Sequence, residues 1–287
     1  MLKNNKIFKT SDLQKLDKYT IENEPVTSLD LMERAATVFT EKLLIFFPNN
    51  HIFNILAGFG NNGGDGYVVA RLLLKKGLNV KVFGLHGNSV LSPDCAVNRK
   101  RFIDMGGCYI EVKNPDNLQP DENSVLVDAI FGAGLNRPVT GFLGNVIHRI
   151  NCLSHPVVAI DIPSGLMGED NGENNGAIVK ADYTFTFQFP KLAFMFPENV
   201  IYVGHWDVLD IRLHPAILRE YPAAYYYLTE EVVASRLLIP EKFSHKGTLG
   251  NTLLIASSYP IWGLPCWRPK GPFDPGRDYF PCMFPVS

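Results

Sequence analysis

The sequence predicts an α/β fold, a doubly wound, mostly parallel sheet with helices on both faces. Three observations predict it. Apolar runs of strand length alternate with helical patterns from Phe53 onward. The first run, Phe53-Asn54-Ile55-Leu56-Ala57, passes into a helix through Gly58 to Gly66, a stretch holding five glycines. Two later runs each end in an aspartate that opens a glycine-bearing loop, at Asp128 and at Asp161. In sheets of this kind ligands bind outside the carboxyl ends of the strands.

Residues 10 to 47 read as helical. Thr10-Ser11-Asp12 suits the start of one helix and Ser28-Leu29-Asp30 the start of another, with apolar residues following at helical spacing. Phe53 to Ala57 is a buried strand, and Tyr67 to Lys76 a helix stopped by Gly77. Asn79–Gly84 is the second strand, Ala96–Met105 a helix, Cys108–Val112 the third strand and Ser124–Asp128 the fourth. Gly141–Cys152 is a helix and Pro156–Ile160 the fifth strand. Tyr183–Phe189 and Val200–Val208 add two more. The pattern is Rossmann-like and contains no internal repeat.

The 287 residues are 46% hydrophobic and 20% charged, which suits one large domain, or one domain plus a fragment. The 27 basic and 29 acidic side chains leave a net charge of -2, so no basic excess exists to hold a nucleic-acid backbone. No run reaches the ~18 apolar residues of a membrane span. The first six residues, Met1 to Lys6, are followed by no apolar stretch and do not read as a secretion signal. Cys95, Cys108, Cys152, Cys266 and Cys282 form no metal or redox pattern, which points to a reducing cytoplasm. The first three are expected to be buried free thiols.

The most specific segment is Asn61-Asn62-Gly63-Gly64-Asp65-Gly66. It is expected to lie in a strand-to-helix turn, where bare backbone lets a ligand approach and exposed N–H groups suit an anion. The bland alternative is a tight turn with an aspartate cap. The loops Asp128 to Pro138 and Asp161 to Leu166 begin at other strand ends, so the three should converge on one edge. There the oxygens of Asn62, Asp128 and Ser164 can meet around a cation. Hard oxygen ligands suit an alkali or alkaline-earth ion and not zinc. A strand-end aspartate can equally cap the next turn. Gly132, Ala133 and Gly134 allow a second approach to phosphate, and Arg137 either pairs with that phosphate or stays solvated. Asp161 is the best acid/base candidate. Lys191, after the Tyr183–Phe189 strand, either contacts substrate or caps a helix.

These residues resemble the YjeF N-terminal domain family of NAD(P)H-hydrate epimerases over roughly residues 6 to 228. The resemblance rests on Leu31-Met32-Glu33-Arg34-Ala35, the Asn-Asn-Gly-Gly-Asp-Gly segment with Ala70-Arg71, the Asp128 to Pro138 loop, Asp161-Ile162-Pro163-Ser164-Gly165 and Phe189-Pro190-Lys191. It implies repair of NADH and NADPH hydrated at the nicotinamide ring (NADHX and NADPHX), by interconversion of R and S epimers. A separate or fused dehydratase specific for S then restores the coenzyme. It also implies substrate contacts at Asn61, Asn62, Gly63, Gly64 and Asp65, at Gly132, Ala133, Gly134, Leu135, Asn136, Arg137 and Pro138, and at Asp161. Potassium is implied at Asn62, Asp128 and Ser164, and a homodimer is common in the family. The epimerised carbon bears a hydroxyl beside a ring nitrogen. Losing that hydroxyl gives a nitrogen-stabilised cation, and re-adding water on either face scrambles the centre. Asp161 suits the proton transfers. Two rival readings are a non-catalytic scaffold on the same fold and a nicotinamide or flavin oxidoreductase. Against the second, Val82-Phe83-Gly84-Leu85 carries no acid where a ribose partner should sit.

A second resemblance begins at Phe243. Ser244 to Ser258 looks like the first strand of the ribokinase-like dehydratase domain, and then the likeness stops. The tail from Tyr259 is rich in Pro, Trp, Cys and Gly, with no period. Codons can be chosen for Gly263 to Pro285 so that the register two nucleotides on encodes an alanine-rich helix and an Arg-Ser-Gly-Ala-Gly-Leu stretch, as expected of the dehydratase. The expectation is therefore an epimerase domain over 1–228, a linker and first dehydratase strand over 229–258, and a frameshifted, disordered tail over 259–287. Such a chain lacks dehydratase activity.

Overall fold

The alternation of strand and helix closes into one sheet wound in both directions from its centre. In this computed structural model, which describes residues 6–48, 52–85, 87, 89–235 and 237, the chain opens with β1 (Lys6–Ile7), α1 (Thr10–Asn23) and α2 (Ser28–Phe46). The first half of the sheet follows as β2 (Ile52–Ala57), α3 (Asn61–Lys75), β3 (Asn79–Gly84), α4 (Pro93–Asp104) and β4 (Cys108–Glu111). The second half is β5 (Val125–Ala129), α5 (Gly141–Asn151), β6 (Val157–Ile160), β7 (Tyr183–Phe187), α6 (Val200–Val203) and β8 (His205–Leu209). α7 (Pro215–Glu220), β9 (Tyr225–Tyr226) and α8 (Glu230–Ala234) end the described chain. The protein divides into two units, Met1–Val233 and Ala234–Ser287, and this architecture is that of the first. The expected dehydratase strand at 244–258 and the tail at 259–287 lie outside the described residues.

The sheet has seven strands in the order β4-β3-β2-β5-β6-β7-β8, and every pairing in it is parallel. The chain runs outward one way from β2 and the other way from β5. Those two strands are neighbours, so the topological switch point lies between them. Successive side chains on a strand point to opposite faces. Phe53, Ile55 and Ala57 of β2, with Val125 and Val127 of β5, meet Phe39 and Leu43 of α2 and Tyr67, Val69 and Leu73 of α3. Leu56, Leu126, Val157 and Ala159 meet Val146, Ile147 and Ile150 of α5 on the other face. Burial on both faces is why the central strands read as continuous apolar runs.

Local chemistry explains the helix starts. Thr27 caps α2 in a reciprocal box with Asp30, one residue before the expected Ser28. α2 is tied to α3 by an ion pair between Glu33 and the buried Arg71. The expected cap of α1 is corrected. Its N-cap is Lys9, without a side-chain cap, and the carboxylate of Glu169 serves instead. Glu169 Oε1 accepts from the Thr10 N–H at 2.6 Å, and both carboxylate oxygens accept from Thr10 Oγ1. The N-terminal segment is further held by the antiparallel β1–β9 pair and by Lys6 Nζ, which donates to the Leu218 carbonyl at 2.7 Å.

Three more expectations are corrected. Val200–Val208 is not one strand: α6 turns at Gly204, φ 60°, before β8 begins. A side chain there would meet the Asp182 carbonyl at 2.3 Å. Gly58 to Gly66 is not all turn, because α3 already starts at Asn61 and its N-cap is Gly60, so Asp65 lies inside the helix and caps nothing. Of the first three cysteines only Cys95 is buried. Cys108 opens the edge strand β4 and Cys152 ends α5, and both are exposed.

Gly58 marks the closest approach in the molecule's centre. A Cβ on it would lie 2.0 Å from the Ile130 carbonyl oxygen, whereas one on Gly60 would meet nothing within 4 Å. Gly58→Ala is therefore expected to cost about 3 kcal/mol or more, and Gly60→Ala less than about 1 kcal/mol. Urea denaturation of the two variants checks this.

Candidate active site

The loops that leave β2, β5, β6 and β7 all open at the carboxyl edge of the sheet, on both sides of the switch point. They border a cavity of about 590 Å³, within the usual size of small-ligand sites. Asn61, Asn62 and Asp65 come from α3, Gly132 to Arg137 from the β5 loop, Asp161 from the end of β6 and Lys191 from beyond β7. The three loops expected to converge do so, although Gly63, Gly64, Asp128, Pro138 and Ser164 do not themselves line the cavity.

The N-terminus of α3 points its first-turn N–H groups at this cavity with no side-chain cap. Those groups have no partner within the helix and carry the positive end of its dipole. Three glycines let the helix start sit close to its surroundings. A Cβ on Gly63 would meet the Gly58 carbonyl at 2.2 Å, one on Gly64 the Met32 sulfur at 2.8 Å and one on Gly66 the Ala129 side chain at 2.6 Å.

Asn62, Asp128 and Ser164 meet around the peptide of Phe131. Asn62 Nδ2 donates to the Phe131 carbonyl at 2.9 Å, and the Phe131 N–H donates to Ser164 Oγ at 2.8 Å. Ser164 in turn donates from Oγ to Asp128 Oδ1 at 2.6 Å and from its N–H to Oδ2 at 2.7 Å. The Ile130 N–H also donates to Oδ1. Asp128 is fully buried, and desolvation pushes its carboxyl up to about 6 against the pull of these donors. No cationic side chain contributes to that balance. Among the described residues no group of three His, Cys, Asp or Glu gathers as a transition metal would need.

Asp161 sits in the left-handed region, φ 67°, which a non-glycine residue occupies at a cost of about 1–3 kcal/mol. The bend turns its carboxylate toward β7. Oδ1 accepts from Lys191 Nζ at 2.6 Å, Thr186 Oγ1 at 3.1 Å and the Phe187 N–H at 3.1 Å. The Lys191 side chain is 1% exposed and that of Asp161 15%, so this ion pair is shielded from solvent. Lys191 Nζ also donates to Thr186 Oγ1 and the Phe189 carbonyl. Of the two readings of Lys191, a helix cap is excluded, since its side chain caps nothing. Arg137 borders the cavity, is exposed and forms no ion pair at 4.0 Å or less among the described residues.

Sequence reasoning missed the roof. α1 lies over the carboxyl edge and lends Leu13, Gln14, Asp17 and Ile21 to the cavity. Leu13, Asp17 and Ile21 are four apart and Gln14 is three before Asp17, so they share one helix face. Asp17 has no hydrogen-bond partner among the described residues. Desolvation first, and then the charge of Asp161, pushes its carboxyl up to about 6, while Lys191 pulls the other way. Asp65 is raised well above the ordinary carboxylate range, by desolvation first and then by Asp161, Asp17 and Asp94. The signal for Asp17 was in the sequence, as an acid in the row Leu13, Asp17, Ile21.

A family model described as YjeF-related protein N-terminus matches residues 28–193. The chain is 37% identical over 194 residues to a Limosilactobacillus fermentum protein named NAD(P)H-hydrate epimerase, covering 68% of this chain and 91% of that one. It is 37% identical over 213 residues to a Weissella koreensis protein of the same name, covering 73% and 93%. A Moorella thermoacetica protein named Bifunctional NAD(P)H-hydrate repair enzyme Nnr is 32% identical over 261 residues; the match takes in 88% of this chain but 49% of that one. The crystal structure of yeast ynu0, YNL200c, superposes with a TM-score of 0.62 at 20% identity, covering 78% of this chain and 97% of that one, a likeness of fold.

Asp17 supplies a test of the electrostatics. Its carboxyl rises from 3.8 when unfolded to about 6 when folded. The folded state thus holds the proton more tightly, a stabilisation complete below pH 3.8 and lost as pH rises through 6. Asp17→Asn is expected to flatten the fall in stability across that window. At pH 7.5 it should raise stability by on the order of 2 kcal/mol, measured by thermal melts between pH 4 and 8.

Proposed function

Because the chain belongs to the family of YjeF-related protein N-termini, we infer that it is an NAD(P)H-hydrate epimerase, an isomerase that interconverts the R and S hydrates of NADH and NADPH. The observation that carries this is the 37% identity to two epimerases over more than nine-tenths of their lengths. Both segments that would serve the reaction, the α3 N-terminus and Asp161, border one cavity.

The substrate's phosphates lie against the first turn of α3 and the Gly132 to Pro138 loop, where N–H groups and Arg137 meet negative charge. The hydrated nicotinamide ring lies toward Asp161 and Lys191. Asp161 carries the protons to and from the hydroxyl at the epimerised carbon. Holding the phosphates far from that carbon fixes the ring without touching it, and such positioning contributes to rate.

Potassium is the proposed ion at Asn62, Asp128 and Ser164. The donor set is all oxygen, and Asp128 is a buried carboxyl without a cationic partner, which supports a monovalent cation. Bound there, it would neutralise Asp128 and stiffen the Phe131 loop. The residues from Phe243 to Ser258 are proposed to be the start of a dehydratase domain, and those from Tyr259 on its frameshifted continuation. The bifunctional relative supports the first part, because its match reaches 88% of the chain, beyond the 1–228 domain. Resequencing the gene tests it: no dehydratase codons in any register would end the idea.

The activity is tested by coupling. R and S hydrates of NADH are mixed with a separate S-specific dehydratase and ATP, with and without this protein. The R hydrate should disappear only when the protein is present, faster with K⁺ than with tetramethylammonium in its place. Asp161→Ala should slow it by about 100-fold or more. Without the added dehydratase, NADH should not reappear. An R hydrate that persists beside folded protein points to a binding module instead.

A further inference from the structure

Inversion at a carbon calls for proton transfer on both faces of the ring, which two carboxyls serve better than one. The hydroxyl leaves from one face of the ring, and water must return to the other. Asp161 stands at the end of β6, on the sheet side of the cavity. Across from it hangs α1, whose Leu13, Gln14, Asp17 and Ile21 line the cavity. Asp17 is the only acid among them.

Several features fit Asp17 for chemistry. It is half-buried and has no hydrogen-bond partner among the described residues. Its helix is held in place by residues that do not line the cavity, by Glu169 at Thr10 and by Tyr221 Oη, which donates to Asp12 at 3.1 Å. It also reaches across the cavity, since a Cβ on Gly134 would lie 3.9 Å from Gln14 Nε2. The charged groups that border the same space are Asp65 from α3, Asp94 from α4, Asp161, Arg137 and Lys191. The ammonium of Lys191 is taken up by Asp161 at 2.6 Å, so the two cross-cavity acids stand in unlike surroundings, one paired and one not. Two carboxyls held in unlike surroundings are the usual way to divide acid and base roles.

We propose that Asp17 is a second catalytic residue of the epimerase, serving the ring face opposite to Asp161. The proposal rests on the epimerase reading given above. In one direction the Asp17 carboxylic acid gives its proton to the substrate hydroxyl. The carbon–oxygen bond breaks, its electron pair leaves with water, and the ring nitrogen's lone pair forms a nitrogen–carbon double bond. A water on the other face then loses a proton to the Asp161 carboxylate as its oxygen bonds to the carbon, and the double-bond pair returns to nitrogen. The products are the opposite epimer, an Asp17 carboxylate and an Asp161 carboxylic acid. The reverse reaction starts from that state, and exchange of protons with solvent connects the two forms.

The test gives the separated R and S hydrates to wild type, Asp17→Asn, Asp161→Asn and Asp65→Asn in ¹⁸O-water. Epimer ratio and hydroxyl label are followed by chromatography and mass spectrometry, with the enzyme-free rate subtracted. Wild type should take up label with inversion. Asp17→Asn and Asp161→Asn should each lose about 100-fold or more of the inversion rate. Each should still exchange label into one epimer with retention, through the carboxyl that remains, and the epimer should differ between them. Asp17→Glu should regain part of the inversion. Wild-type inversion by Asp17→Asn overturns the proposal. So does retained exchange in the same epimer for both variants, or the split pattern in Asp65→Asn in place of Asp17→Asn. Loss of all exchange in Asp17→Asn with no rescue by glutamate, in a protein that still melts cooperatively, assigns Asp17 a structural role and also overturns it. Absence of inversion in wild type would instead strike the epimerase reading itself.

Discussion

The site depends on one backbone contact, Gly58 against Ile130. The Gly58 N–H donates to the Ala129 carbonyl at 3.0 Å, and no side chain fits between the two chains. This contact lies at the switch point, so it sets where two separate loops stand relative to each other. With Gly58 pressed there, Gly63 can lie against the Gly58 carbonyl, and α3 must start with its N–H groups facing the cavity. Asn62 then falls within 2.9 Å of the Phe131 carbonyl, and Phe131 is already held by Ser164 and through it by Asp128. A close approach of main chain to main chain thus fixes the polar side chains on both sides of it.

Charge in the cavity is unevenly compensated. Asp161 has a buried lysine and two further donors, but Asp17 and Asp65 have no such support. Replacing a buried, unpaired acid usually stabilises a protein. The left-handed backbone at Asp161 and Gln188 lies at the ends of two adjacent strands and beside the same cavity. Two of the four left-handed non-glycine residues and the unpaired acids thus share this edge of the sheet; Asn123 and Arg212 are the other two.

The sheet was legible in the sequence because its central strands are buried on both sides. Phe53 to Ala57 and Val125 to Val127 have no polar face to confuse with a helix beyond Asn54. The three loops were legible because glycine and strand-end aspartate are local signals. Lys191 is ambiguous in the sequence, since its partner Asp161 lies 30 residues earlier and the pairing needs the parallel neighbours β6 and β7. Val200–Val208 reads as a strand because Val200, Ile201, Val203 and Val208 favour strands by type, while the tuck of Gly204 against Asp182 is a tertiary matter. The place of Asp17 is hidden in the sequence for a similar reason. Its helix covers the cavity only through contacts with residues far along the chain.

Those contacts bear on how the chain is made. The roof helix is made before the sheet, yet the polar contacts that hold it and β1 come late: Glu169 at Thr10, Leu218 and Tyr221 at Lys6, and Tyr225 and Tyr226 along β1. A growing chain that has reached β6 already contains both of the loops joined at Gly58. Of the partners of its N-terminal segment it then holds Leu31 and Ala35 of α2, while Glu169, Phe189 and the residues from Ile211 to Tyr226 are still to come. Nascent protein therefore passes through a stage with a wound sheet and an open ligand edge, its apolar Leu16 and Phe8 without their final neighbours Ile211, Leu213 and Ile217.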